Sequence, residues 1–173
     1  MNNIKLKDMS LSNIVLGTDG YGERIDKKTA FSIMDLYTQN GGNVIDTARL
    51  YTNGTSESYV GEFISGIRDN LYISTKCAHP PLSDMSHNRL NEIDIEYDID
   101  TSLKTIGIDY IDIVWLHRDD LSVSVEPIID IMNKMVKKGK IRYFGAANWT
   151  YQRIDEANKY ADKTNQPGFS ASQ

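Results

Sequence analysis

Four side chains suited to moving a proton are distributed through the chain: Asp46, Tyr51, Lys76 and His117. A free phenol, with a pKa of about 10, is a poor acid at neutral pH, but a nearby ammonium stabilises its ionised form. A carboxylate would in turn hold that ammonium in place. Asp46 follows Val44-Ile45, Lys76 follows Ile73-Ser-Thr, and His117 follows Ile113-Val-Trp-Leu, so each closes a short apolar run. Tyr51 lies five positions beyond Asp46, and Asn148 follows Gly145-Ala-Ala in the same manner. Taken singly, each has an ordinary explanation as a turn cap, a solvated lysine, a hydrogen-bonded strand end or loop packing. Their joint occurrence points to a proton-donating set.

The intervening residues predict alternating strands and helices. Asn13–Thr18 is an apolar run closed by Gly17-Thr-Asp-Gly-Tyr-Gly22, which reads as a buried strand entering a loop. In Lys27–Gln39 the apolar residues recur at spacings near three and four, and Asn40-Gly41-Gly42 supplies a C-terminal stop. The pattern continues with strand Asn43–Thr47, helix Ser56–Ser65, strand Leu71–Cys77, helix His87–Ile106 and strand Tyr110–His117. Helix Val125–Lys138, strand Ile141–Ala147, helix Tyr151–Lys163 and a last strand from Gly168 into Ser172 complete it. About six strands, apolar on both faces, and five helices predict an α/β protein with a parallel sheet, because parallel strands need crossovers that lay helices on the sheet. Periodicity leaves an open doubly wound sheet and a (β/α)8 barrel both possible, and a full barrel typically takes about 250 residues. In either architecture function gathers at the C-terminal ends of the strands, where the four side chains stand.

Composition narrows the functional classes. The chain has 173 residues, 40% hydrophobic and 25% charged, with 24 acidic against 19 basic side chains and a net charge of -5. That is the composition of a globular domain, with the wrong sign for broad contact with a phosphate backbone, so nucleic acid is not an expected partner. No apolar stretch approaches the roughly 20 residues of a membrane span, and the N-terminus MNNIKLKDMS lacks a secretory or transit pattern. With a single cysteine, Cys77, the expectation is a cytoplasmic protein. No Ser/Gly/Pro linker divides residues 1–173, so one domain is expected.

Five segments carry a family resemblance: Gly42-Asn-Val-Ile-Asp-Thr-Ala-Arg-Leu-Tyr51, Ile73-Ser-Thr-Lys76, Asp109-Tyr-Ile-Asp-Ile-Val-Trp-Leu-His117, Gly139-Lys-Ile-Arg-Tyr-Phe-Gly-Ala-Ala-Asn148 and Phe169-Ser-Ala-Ser-Gln173. In sequence, order and spacing the chain resembles the aldo-keto reductases. The Asp-Thr-Ala-x-x-Tyr and Leu-His pieces are the specific ones. Gly17-x-x-Gly20-x-Gly22 is not the Gly-x-Gly-x-x-Gly dinucleotide fingerprint.

The resemblance implies a TIM-type (β/α)8 barrel truncated after its sixth strand, and NADPH-dependent reduction of an aldehyde or ketone by hydride transfer. It implies Tyr51 as general acid, Lys76 and Asp46 as the pair that tunes it, and His117 as the group that orients the carbonyl. Asn148 and Gln173 match positions that hold the nicotinamide carboxamide, and Thr18 matches a position near the cofactor ribose. NADPH rather than NADH rests on the resemblance alone. Ala147 stands where the family commonly has serine, so one hydrogen bond to the carboxamide is expected to be missing. The segments carrying most pyrophosphate, adenine and ribose-phosphate contacts lie beyond Gln173. A barrel short of two strands exposes sheet edges and apolar interior, so self-association or a complementing C-terminal segment is expected.

Other readings remain beside this one. A truncated, inactive reductase remnant, or a cofactor-sensing or scaffold subunit, would retain the same residues without turnover. A metal hydrolase would need histidines at ligand spacing, but His79, His87 and His117 form neither His-x-His nor His-Glu-x-x-His, and no metal ligands are assigned. Trp149 could line a substrate mouth, whereas Trp115 is expected to pack. Lys134, Lys137, Lys138 and Lys140 read as a solvated helix end.

Overall fold

The computed structural model describes residues 1–173. Its central feature is a five-stranded, all-parallel sheet of β3 (Leu16–Gly17), β4 (Val44–Asp46), β5 (Tyr72–Cys77), β6 (Ile111–Leu116) and β7 (Ile141–Ala146), in that spatial order. Helices α1 (Lys27–Gln39), α2 (Thr55–Ile64), α3 (Glu92–Ile106), α4 (Val125–Lys137) and α5 (Tyr151–Lys163) follow these strands. Strands in sequential order, each followed by a helix, form the open wall of a TIM-type barrel.

Three local features differ from the expectation. Only Leu16 and Gly17 of the predicted strand Asn13–Thr18 join the sheet, because the backbone before them is used otherwise: Asn13 N–H donates to Asn2 O, and Ile14 O accepts from Ser12 Oγ and Tyr37 Oη. Helix α3 starts at Glu92 rather than His87 because Asn91 caps it, its side chain accepting from Asp94 N–H at 3.0 Å. The predicted sixth strand, Gly168 to Ser172, runs beside β7 with a single parallel bridge, Ala146 to Ser172, held by bonds that include Ser170 N to Phe144 O and Gln173 N to Ala146 O, both 2.9 Å.

The sequence reading also missed an antiparallel hairpin, β1 (Asn3–Leu6) with β2 (Met9–Ser12), turning through Lys7. It sits at the N-terminal end of the sheet. Met9 and Leu11 pack there with Val44, Ile113, Trp115 and Ala147. Asp8, in the turn, accepts from Arg142 at 2.8 Å and from the Tyr143 hydroxyl at 2.6 Å, tying the hairpin to β7.

The two-residue period of the strands sorts side chains onto two faces. Val114 and Leu116 of β6 pack against α3, α4 and α5 in a cluster of 21 buried residues, and Ile45 and Ile73 belong to a second cluster under α1 and α2. Ile113 and Trp115 belong instead to the small cluster with the hairpin, on the concave face. That face surrounds an apolar cavity of about 340 Å³ reached by Val44, Ser74, Ile113, Trp115 and Gln173. The amphipathic period of α4 explains its complete apolar flank of Val125, Ile128, Ile129, Met132 and Met135. Its terminal lysines do more than sit in solvent: Lys134 pairs with Glu92, and Lys138 and Lys140 share Glu96, bridging α4 and its following loop to α3. No helix is long and apolar enough to cross a membrane.

Candidate active site at the strand ends

Asp46, Lys76 and His117 sit at the C-terminal ends of β4, β5 and β6, or one residue beyond. Period two puts Ser74 and Lys76 on the same side of β5, and the register pairs Asp46 with Ser74 and Lys76 with Trp115. The Lys76 ammonium therefore meets the Asp46 carboxylate across the gap between strands, Nζ to Oδ2 at 2.5 Å, with both side chains below 10% exposed. Lys76 also donates to Thr47 O at 2.9 Å. Asp46 accepts from the Ser74 hydroxyl on Oδ1 and from Gln173 Nε2 on Oδ2 at 3.2 Å. A buried ion pair is tolerated when its remaining hydrogen-bonding capacity is filled in this way.

Tyr51 is held by a loop with unusual backbone. It opens a 3-10 turn, Tyr51–Gly54, in which Thr52, Asn53 and Gly54 all take positive φ, at 49°, 51° and 89°. A β-branched residue in that region is strained, and such strain gathers at functional sites. The base of the loop is fixed by buried hydroxyls, with Ser56 Oγ 2.7 Å from Thr18 Oγ1 and 3.1 Å from Thr47 Oγ1. The half-buried Tyr51 ring then lies beneath the Lys76 ammonium, 4.8 Å from Nζ to the ring centre, and meets the His117 ring edge to face at 6.3 Å. The four residues share one cleft.

His117 is 9% exposed, its Nδ1 is buried without a partner, and its other ring neighbour is His79 at 4.8 Å. Burial, reinforced by His79, Lys76 and Arg118, pulls its pKa down to about 3. The ring is neutral at physiological pH, so it can donate one hydrogen bond without carrying a charge.

The residues matched to cofactor positions fall into two groups. Asn148, exposed and left-handed at φ 62°, donates its side-chain N–H to His117 O at 3.0 Å, and its backbone N–H donates to Gln173 O. Gln173 reaches Asp46 itself. Thr18 is fully buried, and its hydroxyl is shared between Asp46 O and Ser56. Trp149 lies away from the cleft, meeting Phe169 edge to face at 5.2 Å and sitting under the Arg153 guanidinium. Trp115 packs as expected, but on the concave face. Burial pushes the Cys77 thiol up, which makes it inert rather than activated by its neighbour Lys76.

Two contributors escaped the sequence reading. Ser74 is two residues before Lys76, and strand alternation alone would have aimed it at Asp46. His79 carried no such signal, because it reaches His117 through the irregular Ala78-His79-Pro80 segment, in which Ala78 has φ 59°.

Residues 13–173 match the profile of the Aldo/keto reductase family. Among curated relatives, norsolorinic acid reductase B of Dothistroma septosporum is 33% identical over 170 residues, 87% of this chain and 42% of that protein. A probable voltage-gated potassium channel subunit beta of Arabidopsis thaliana is 32% identical over 148 residues, 83% of this chain and 44% of that one. The chain thus spans less than half the length of these relatives. A solved structure of the thermostable aldo-keto reductase Tm1743, crystallised with epalrestat, superposes with a TM-score of 0.83 at 24% identity, over 100% of this chain and 62% of that one. With the strand-end cleft, the parallel barrel wall and the profile match over nearly its whole length, this chain belongs to the aldo/keto reductase family.

Proposed function

We propose that this chain carries the proton-donating centre of an NADPH-dependent carbonyl reduction, with Tyr51 as general acid. The observation that supports it most is the placement of the Lys76–Asp46 pair over the Tyr51 ring, opposite a neutral imidazole. Tyr51 gives its hydroxyl proton to the carbonyl oxygen. The Lys76 ammonium attracts the negative charge left on the phenol, and Asp46 keeps that ammonium in place. His117 donates a hydrogen bond to the same carbonyl oxygen and so orients it.

Asn148 and Gln173 suit an amide ligand. Each spends an amide N–H on the protein, to His117 O and to Asp46 Oδ2, which leaves its amide oxygen to accept from a carboxamide. When bound, reduced nicotinamide supplies the hydride, and the protein supplies position and electrostatics. We read the sheet edges at β3 and β7 and the open concave cavity as surfaces that a complementing C-terminal segment or a second copy covers, in a cytoplasmic setting.

Replacing Tyr51 with Phe tests the reading. Carbonyl-dependent NADPH oxidation by the protein falls about 10²- to 10⁴-fold, while circular dichroism and thermal midpoint stay as in the parent. Unchanged turnover in Tyr51→Phe would refute Tyr51 as the acid. A second reading, a cofactor-sensing subunit, draws on the likeness to the channel β subunit. It predicts that NADPH quenches intrinsic fluorescence while carbonyl compounds leave the bound nicotinamide unoxidised.

A further inference from the structure

Of the seven arginines, Arg24, Arg68, Arg89, Arg142 and Arg153 are each paired with a carboxylate. Arg118 is exposed. Arg49 is half-buried, yet its guanidinium takes part in neither an ion pair nor a hydrogen bond, although guanidinium groups inside proteins are nearly always paired. It lies against Gly54, where a Cβ would stand only 2.5 Å from Nη1, and the left-handed φ of 89° there independently favours glycine. The loop that presents Tyr51 is therefore folded around the Arg49 guanidinium.

Arg49 opens into a cavity of about 220 Å³ between the loops after β4 and β5. Leu50, Pro80 and Pro81 form an apolar wall. Lys76 and His79 join this cavity to the catalytic cleft, His79 through its ring contact with His117. The other charges in the lining are already satisfied. Arg89 binds Asp94 at 2.9 Å and Asp98 at 2.5 Å, Asp98 also accepts from Ala78 N–H, and Lys76 is committed to Asp46. Glu57, the acidic group whose field reaches Arg49, is fully buried and accepts from Thr75 at 2.6 Å, and it makes neither an ion pair nor a hydrogen bond with the guanidinium. In a chain of net charge -5, one cation without an ion-pair or hydrogen-bond partner thus faces a small pocket beside the reacting groups.

We propose that Arg49 binds a carboxylate carried on the substrate, so that the preferred carbonyl compounds are short oxo acids whose alkyl chain lies along Leu50 and Pro80. The planar guanidinium fork matches a planar carboxylate with two parallel hydrogen bonds. The inference rests on the carbonyl-reduction reading for the chemistry at the other end of the molecule, but its test reads binding rather than turnover.

The test is an NMR titration of the protein, without cofactor, using 5-oxohexanoate and its neutral methyl ester. The acid binds about tenfold or more tightly than the ester, as expected for a charge-assisted pair. Arg49→Gln removes that preference, and Arg49→Lys, which keeps the charge but loses the fork, restores part of it. Equal affinities for acid and ester in the parent, or an undiminished preference in Arg49→Gln, overturn the proposal. Inorganic phosphate binding more tightly than 5-oxohexanoate overturns the assignment of a substrate carboxylate. If Arg49→Gln fails to fold, Arg49→Lys decides, since an unchanged acid-to-ester ratio there contradicts bidentate recognition. Should Tyr51→Phe retain turnover, the reduction reading falls, while the charge preference measured by titration stands on its own.

Discussion

The Lys76 ammonium lies 2.5 Å from Asp46 Oδ2 and 4.8 Å from the centre of the Tyr51 ring, so one cation contacts a buried carboxylate and an aromatic ring at once. The two members of the ion pair are not equally supported. Without Lys76, Asp46 keeps donors in Ser74 and Gln173, whereas without Asp46, Lys76 keeps only the carbonyl of Thr47.

Asp46→Leu therefore leaves a buried ammonium almost without partners and lowers stability by about 3–5 kcal/mol. Lys76→Met costs less. The double variant Asp46→Leu/Lys76→Met recovers much of the loss, because a buried pair replaced by apolar groups of similar size is often neutral. Urea unfolding of the three variants measures this. A double variant no more stable than Asp46→Leu alone would show that uncompensated charge is not the cause.

His117 makes stability depend on pH in a stated direction. Its pKa falls from the ordinary 6.5 to about 3 in the folded protein, so between those values the unfolded chain holds the proton and the folded chain does not. Stability is fully present above about pH 6.5 and is lost as pH falls toward 3, with a slope of up to about 1.4 kcal/mol per unit for one proton. His117→Phe cannot take up this proton, so the difference between its pH–stability curve and the parent's has that slope across the same window. A constant difference from pH 7 to pH 4 contradicts a buried neutral imidazole.

Gly61 tests how closely the helices behind the Tyr51 loop approach each other. A Cβ there would lie 2.7 Å from the carbonyl carbon and 2.8 Å from the Cα of Ile106 at the end of α3, and backbone cannot step aside as a side chain can. Alanine gains about 1 kcal/mol of helix propensity over glycine. We expect overpacking to exceed it, with Gly61→Ala lowering stability by about 1–3 kcal/mol in denaturant unfolding. A stabilised variant would mean that α2 and α3 separate freely.

Much of this architecture was legible in the chain. The apolar run Ile113–Leu116 and the strongly amphipathic Val125–Lys137 declare themselves because burial on both faces leaves a continuous apolar stretch and burial of one helical stripe leaves a period. The hairpin left no comparable mark, since Asn3–Lys5 is exposed and Met9, Leu11 and Ser12 turn inward against distant residues. The start of α3 was obscured for a related reason: the cap at Asn91 competes with several polar residues before it.

The amino-acid sequence by itself determined the alternation of strand and helix and, through strand period, which residues reach the strand ends; Asp46, Lys76 and His117 follow from short-range rules that repeat along the chain. The tertiary structure alone decided that Thr18 turns inward to a hydroxyl knot, that Trp149 packs behind the sheet, that His79 meets His117, and that Arg49 opens into a pocket without an ion-pair partner. Those outcomes depend on contacts between residues far apart in sequence or across irregular loops, where no local period constrains the side chain and pairing is settled only when the whole set of charges and surfaces comes together.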